Sequence, residues 1–135
     1  MEYKDYDKLI ELAKEAREKA YVPYSHFKVG ACVLTENGKT YQGCNIENAS
    51  YGLTNCAERT ALFNAYANGE RKLKAIAVVA DTEGPVSPCG ACRQVMMELG
   101  GEDMVVILSN MKGDYAVVTV KDLLPGAFTS KDLRE

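Results

Sequence analysis

The order of apolar patterns along this chain predicts an α/β fold, a three-layer α/β/α sandwich on a five-stranded mixed sheet. Three observations carry the prediction. A helix-spaced apolar stripe opens the chain, and the first two strand-like runs are joined by Asn37-Gly38, a strong hairpin signal. After that hairpin, short apolar runs alternate with helical patterns, as in strand-helix-strand units. The 135 residues are enough for one domain, 1–135, with a buried core.

The elements follow in order. Over 6–20, Leu9, Leu12, Ala13, Ala16 and Ala20 recur at helical spacing, and Pro23 is expected to end the helix. The Lys and Glu residues between them form a solvated face. Residues 29–34 are strand-like, Glu36-Asn37-Gly38-Lys39 makes the turn, and 40–45 return antiparallel. A loop follows over 48–52. Thr54 or Asn55 can cap a helix reaching 67, with Gly69 as its stop. The run 75–80 reads as a strand buried on both faces, and 81–86 as a turn-rich loop. Ser87-Pro88 offers an N-cap and a first-turn proline for a helix to 99, ended by Gly100-Gly101. Strands are expected over 105–109 and 115–120, and a short helical turn over 122–124 before Pro125. The strand-helix-strand units should be parallel and right-handed.

Composition narrows the function classes. The net charge of −3 argues against tight binding to nucleic acid, which needs a basic face. A small, weakly charged substrate suits it better. No run approaches the roughly 20 apolar residues of a membrane helix. The opening Met1-Glu2-Tyr3-Lys4-Asp5 carries no secretory core, so a soluble, cytoplasmic protein is the expectation. Five cysteines in such a chain favour metal binding over disulfides. Cys32 and Cys44 lie in apolar strand contexts and read as small buried side chains.

The chemistry is concentrated in Cys56-Ala57-Glu58-Arg59 and Pro88-Cys89-Gly90-Ala91-Cys92. Three cysteines can hold Zn²⁺ and leave its fourth position open, the pattern of a catalytic site. Cys56 and Cys89 fall near the starts of two helices, and Cys92 lies one turn beyond Cys89. Helix N-termini favour thiolates over thiols. Glu58 is placed to carry protons to and from a water in the open position. Alone it would be an ordinary first-turn glutamate, but beside zinc-spaced cysteines it reads as catalytic. Three thiolates leave the centre negatively charged. A cation would offset this, and Arg59, one turn after Cys56, is the candidate for bonding the sulfurs. Arg93 directly follows Cys92. His26, the single histidine, would close the site into a structural Cys3His centre if it were a ligand, but it lies outside the cysteine signature.

This signature is similar to that of the zinc-dependent base deaminases, which use His/Cys/Cys or three-cysteine ligands. The chain resembles the cytidine deaminases in their short, homotetrameric, three-cysteine form. The resemblance runs through Tyr24-Ser25-His26-Phe27-Lys28-Val29-Gly30-Ala31, the segment from Gly43 to Gly52, Cys56-Ala57-Glu58-Arg59, Pro88 to Gln94, and Leu123-Leu124-Pro125-Gly126-Ala127-Phe128. It implies one zinc per subunit and deamination of cytidine and 2′-deoxycytidine in pyrimidine salvage. It also implies roles for further residues. Phe27 would stack on the pyrimidine, although by itself it reads as a core residue before a strand. Asn45 and Glu47 would bond the ribose hydroxyls, and their spacing puts both on one face of an extended segment. The Ala57 N–H and Ser87 carbonyl would read the pyrimidine edge. Ala49, Tyr51 and Phe128 would complete a neighbouring subunit's site, so that the homotetramer shares its active sites.

Competing classes explain less. A polynucleotide-editing deaminase conflicts with the acidic balance, and an antibiotic nucleoside would leave Asn45-Ile46-Glu47-Asn48 without an ordinary ribose to recognise. A structural zinc module needs a fourth ligand, and no fourth cysteine is suitably spaced. A thiol redox protein would use Cys89 and Cys92 and leave Cys56 and Glu58 unexplained.

Overall fold

The structure, a computed structural model, describes residues 3–133. Its elements are α1 (Tyr3–Arg17), β1 (Val29–Thr35), β2 (Thr40–Cys44), α2 (Ala57–Ala67), β3 (Leu73–Ala80), α3 (Gly90–Gly100), β4 (Val105–Asn110), β5 (Tyr115–Thr119) and α4 (Val120–Leu123). The five strands form one mixed sheet in the order β2-β1-β3-β4-β5.

The hairpin pairs β1 and β2 antiparallel, from Gly30 opposite Cys44 to Leu34 opposite Thr40. Gly38 takes the left-handed conformation that its turn requires (φ 88°). On its other edge β1 pairs antiparallel with β3, β3 pairs parallel with β4, and β4 pairs antiparallel with β5. The unit β3-α3-β4 is therefore an adjacent parallel pair, as its pattern predicts. The unit β2-α2-β3 is parallel too, but β1 lies between its strands. Local pattern carries no information about that intervening strand.

Strand alternation sorts side chains into two cores. On one face Leu9, Ile10 and Ala13 of α1 pack against Cys32, Ala77, Val79 and Ile107. On the other, Ala61 and Leu62 of α2 and Met96 of α3 pack against Ala31, Val33, Ile76, Val78 and Val106. This is the expected sandwich. Full burial of a Leu or Ile side chain contributes about 1.5–3 kcal/mol, so each helix is held mainly by its apolar face.

Two glycines set how closely the helices approach. A Cβ on Gly30 would lie 2.0 Å from the Ala13 carbonyl oxygen in α1. A Cβ on Gly43 would lie 2.3 Å from the Ala61 nitrogen and 2.8 Å from the Ala57 carbonyl oxygen in α2. Gly43 thus lets the first turns of α2 sit directly on β2.

The boundaries differ from expectation in instructive places. The first helix ends at Arg17, before Pro23. Short-range bonds from Glu18, Lys19 and Ala20 back to Glu15, Ala16 and Arg17 close the turn, and Tyr21 then bridges to Ile46. The helical turn before Pro125 is Val120–Leu123, closed by a Thr119–Asp122 capping box, and a short 3-10 turn follows over Ser130–Leu133. Neither Thr54 nor Asn55 caps α2, and Ser87 does not cap α3. The caps are Cys56 and Cys89. Ser, Thr, Asn and Asp are the usual caps, which is why Thr54, Asn55 and Ser87 stand out in the sequence. Of the two strand cysteines, Cys32 is buried and Cys44 is half-buried.

Candidate metal centre and substrate-binding rim

Two helix starts meet at one point. Cys56 is the N-cap of α2, and Cys89 is the N-cap of α3, its sulfur accepting the Cys92 N–H at 3.4 Å. The Cys56 and Cys89 sulfurs lie 3.8 Å apart, those of Cys89 and Cys92 lie 3.2 Å apart, and all three fall within 4.8 Å of one another. Tetrahedral zinc with Zn–S bonds of about 2.3 Å places its sulfurs about 3.8 Å apart, so this donor set fits the ion. Among the described residues the group contains these cysteines and no histidine, so His26 is not a fourth ligand in it.

The electrostatics favour a thiolate on Cys56. The Cys56 thiol is held well below its ordinary range, first by a hydrogen bond from Cys92 and then by Arg59 and Cys89, against the cost of burial. The Cys92 thiol is pushed up, because it donates to Cys56 and is itself buried. The Arg59 guanidinium donates to the Cys56 sulfur at 3.3 Å, as its spacing predicts. Its buried Nε has no protein partner. A cation packed against the sulfurs suits a centre that gathers negative charge.

Glu58 is the second residue of α2 and is only 4% exposed. Burial pushes its carboxyl up from the ordinary range, and the charge on Cys56 adds to this. Hydrogen bonds from its own backbone N–H and from Cys92 act in the other direction, which puts the carboxylate beside the cysteine cluster. A carboxylate whose desolvation brings its affinity for a proton nearer neutrality is a fitting proton carrier. Ala57 opens α2, so its N–H has no acceptor within the helix.

A second set of residues gathers beside the first. Ile46 makes an antiparallel bridge to Asn55, which ties the 45–47 segment to the entrance of α2. Asn45 and Glu47 both turn toward the 21–29 segment, on one face as expected. Asn45 accepts the Val29 N–H at 3.0 Å and donates to the Phe27 carbonyl at 2.8 Å. Glu47 accepts the N–H groups of Tyr24 and Ser25 at 3.0 and 3.1 Å, and also the Ser25 hydroxyl. The Ser25 bond is the leading reason that its carboxyl sits below the ordinary range. Ser25 Oγ in turn accepts the Phe27 N–H. His26, between them, adopts a left-handed conformation (φ 59°). Phe27 is 43% exposed, which rules out the core reading.

The remaining predicted residues lie further out. Ala49 and Tyr51 line a cavity of about 250 Å³ together with Glu47, and Tyr51 is 89% exposed. Phe128 is exposed on the C-terminal segment, and its carbonyl accepts from Gln94 at 2.8 Å. Ser87 lies at the surface, and its hydroxyl accepts from Arg93 at 2.8 Å. Cys56, Glu58, Arg59, Cys89 and Cys92 therefore form one cluster, and Phe27, Asn45 and Glu47 form another. Sequence reasoning missed Ser25 as the anchor of Glu47. It also missed Gln94, and it saw Arg93 only as a possible neighbour of the sulfurs. These contacts join residues 22 or more positions apart, or turn a side chain away from its sequence neighbour, and no local signal marks them.

Residues 3–108 match the cytidine and deoxycytidylate deaminase zinc-binding region. The chain is 62% identical to the cytidine deaminase of Sporosarcina psychrophila over 129 residues, covering 96% of this chain and 95% of that one. It is 61% identical to the cytidine deaminase of Halalkalibacterium halodurans over 131 residues, covering 97% and 99%. The crystal structure of cytidine deaminase from Burkholderia pseudomallei superposes with a TM-score of 0.91 at 61% identity, covering 95% of this chain and all of that one.

Proposed function

The chain belongs to the cytidine and deoxycytidylate deaminase zinc-binding family, and we propose that it hydrolyses cytidine and 2′-deoxycytidine to uridine and 2′-deoxyuridine, releasing ammonia. The observation that carries this reading is the meeting of three cysteine sulfurs from two helix starts beside the buried Glu58.

In this reading Cys56, Cys89 and Cys92 hold one zinc per subunit, and Arg59 offsets the charge of their sulfurs. Zinc, when bound, supplies Lewis acidity that makes water a nucleophile near neutral pH. Glu58 takes a proton from the attacking water and delivers it to the pyrimidine ring nitrogen beside the amino-bearing carbon. The water oxygen forms the new bond to that carbon. Glu58 then passes the second water proton to the amino group as its C–N bond breaks, so ammonia leaves and the carboxylate is restored. Its burial makes it a better proton holder than an exposed glutamate.

The rim orients the nucleoside. Phe27 stacks on the ring, and the Ala57 N–H and Ser87 carbonyl read the pyrimidine edge. Asn45 and Glu47 meet the ribose hydroxyls. Ala49, Tyr51 and Phe128 serve the site of a neighbouring subunit in a homotetramer, and the exposure of Tyr51 and Phe128 supports that assignment. One catalytic domain spans 1–135, acting in pyrimidine salvage in the cytoplasm. No helix among the described residues is long and apolar enough to cross a membrane.

The test of the proton carrier is Glu58→Gln. The variant is expected to keep its zinc and lose turnover by roughly 10²–10⁴-fold or more, read by metal analysis and ammonia release. Wild-type turnover in this variant would overturn the role of Glu58.

A further inference from the structure

We propose that Arg93 is a positioning residue that fixes the Ser87 edge-reading loop and the Phe128-bearing segment as one unit. The inference rests on the functional reading above, in which Ser87 and Phe128 meet the substrate.

Arg93 directly follows Cys92 in the first turn of α3, yet its guanidinium turns away from the sulfurs. Nε donates to the Pro88 carbonyl at 2.9 Å, one terminal nitrogen to the Leu123 carbonyl at 2.9 Å, and the other to the Ser87 hydroxyl at 2.8 Å. Two of these partners lie on the loop that ends at Cys89. The third is the last residue of α4, five positions before Phe128. The adjacent Gln94 donates to the Phe128 carbonyl at 2.8 Å. Leu123 and Phe128 are thus both anchored to the first turn of α3, at either end of an exposed Pro125-Gly126 bend.

Arg93 suits this task. A planar guanidinium presents five N–H donors in a fixed fork, so three acceptors held by it cannot move independently. A lysine carries its three donors on a single nitrogen, so it could not span three acceptors that three separate guanidinium nitrogens hold. The Ser87 carbonyl belongs to the same residue whose hydroxyl Arg93 holds, so this bond and the one to Pro88 restrict the backbone that carries it. Through Leu123 the same side chain holds the segment that offers Phe128 to a neighbouring site. Arg93 contacts neither sulfur nor substrate, so its loss should weaken nucleoside binding while leaving the metal and the proton carrier in place.

The experiment measures kcat and KM for cytidine in the wild type, Arg93→Met and Arg93→Lys, with zinc content of each. For Arg93→Met the KM is expected to rise about 10-fold or more, with kcat changed less than about 3-fold and zinc unchanged. Arg93→Lys should fall between the two. A purely structural role would lower the amount of folded, zinc-loaded protein and leave KM unchanged in what remains. An active wild type with an unchanged KM in Arg93→Met overturns the proposal alone. If Arg93→Met does not fold, an unchanged KM in Arg93→Lys overturns it equally. A wild type with zinc but no activity on cytidine overturns the functional reading and this proposal with it.

Discussion

The metal centre and the rim beside it are built by opposite strategies. The centre is made from helix starts seated on the sheet: Cys92 is buried, Glu58 is 4% exposed, and α2 is pressed onto β2 at Gly43, while Cys56 is half-buried and Cys89 faces out at the opening. The rim is made from loops and a short 3-10 turn, Tyr51–Leu53. Phe27, Tyr51 and Phe128 are 43%, 89% and 58% exposed, and the segments bearing them are held by side-chain bonds to backbone or by the surrounding chain. Reaction chemistry needs groups fixed before substrate arrives, and packing against a sheet provides that. In the centre the sulfurs and Glu58 are placed by helix packing, whereas Phe27, Asn45 and Glu47 are placed by hydrogen bonds between loop segments.

Three substitutions separate the centre from the rim. The largest effect is expected at the centre: Cys89→Ala should lose both zinc and turnover, measured by metal analysis and ammonia release. Full zinc content in that variant would remove Cys89 from the ligand set. Next is the seat of the centre. Gly43→Ala puts a Cβ against the α2 backbone, 2.3 Å from the Ala61 nitrogen, where no flexible side chain can yield. It should cost about 3 kcal/mol of stability and displace the start of α2. Denaturant titration would read the first and zinc affinity the second, and wild-type values for both would show that the close approach is not needed. The smallest effect is expected at the rim. Asn45→Ala strips the Val29 N–H and Phe27 carbonyl of their partner. It should raise KM about 10-fold with zinc unchanged. A loss of zinc in Asn45→Ala would mean that rim and centre are not separable.

The same division governs what sequence alone reveals. The five strands are legible to within two residues because alternation and turn residues are local properties. The cysteine cluster is legible because its ligands come in a compact, chemically distinctive spacing. The helix caps are misread because a thiol is seldom an N-cap, although Cys56 and Cys89 cap because they are the site. The position of β1 between β2 and β3 is invisible to periodicity, since pairing across the sheet is a tertiary choice. The bonds of Glu47 to Ser25, of Gln94 to Phe128 and of Arg93 to Leu123 are equally hidden, because each joins segments 22 or more residues apart.

Deamination of a pyrimidine nucleoside should depend on zinc held by Cys56, Cys89 and Cys92 and served by Glu58. The most direct test is ammonia release from cytidine by the purified protein as isolated, after stripping with a chelator, and after zinc is restored. Release is expected to stop on stripping and return with zinc. Release that persists after the metal is removed, or a zinc-loaded protein that releases no ammonia from cytidine or 2′-deoxycytidine, would contradict this assignment.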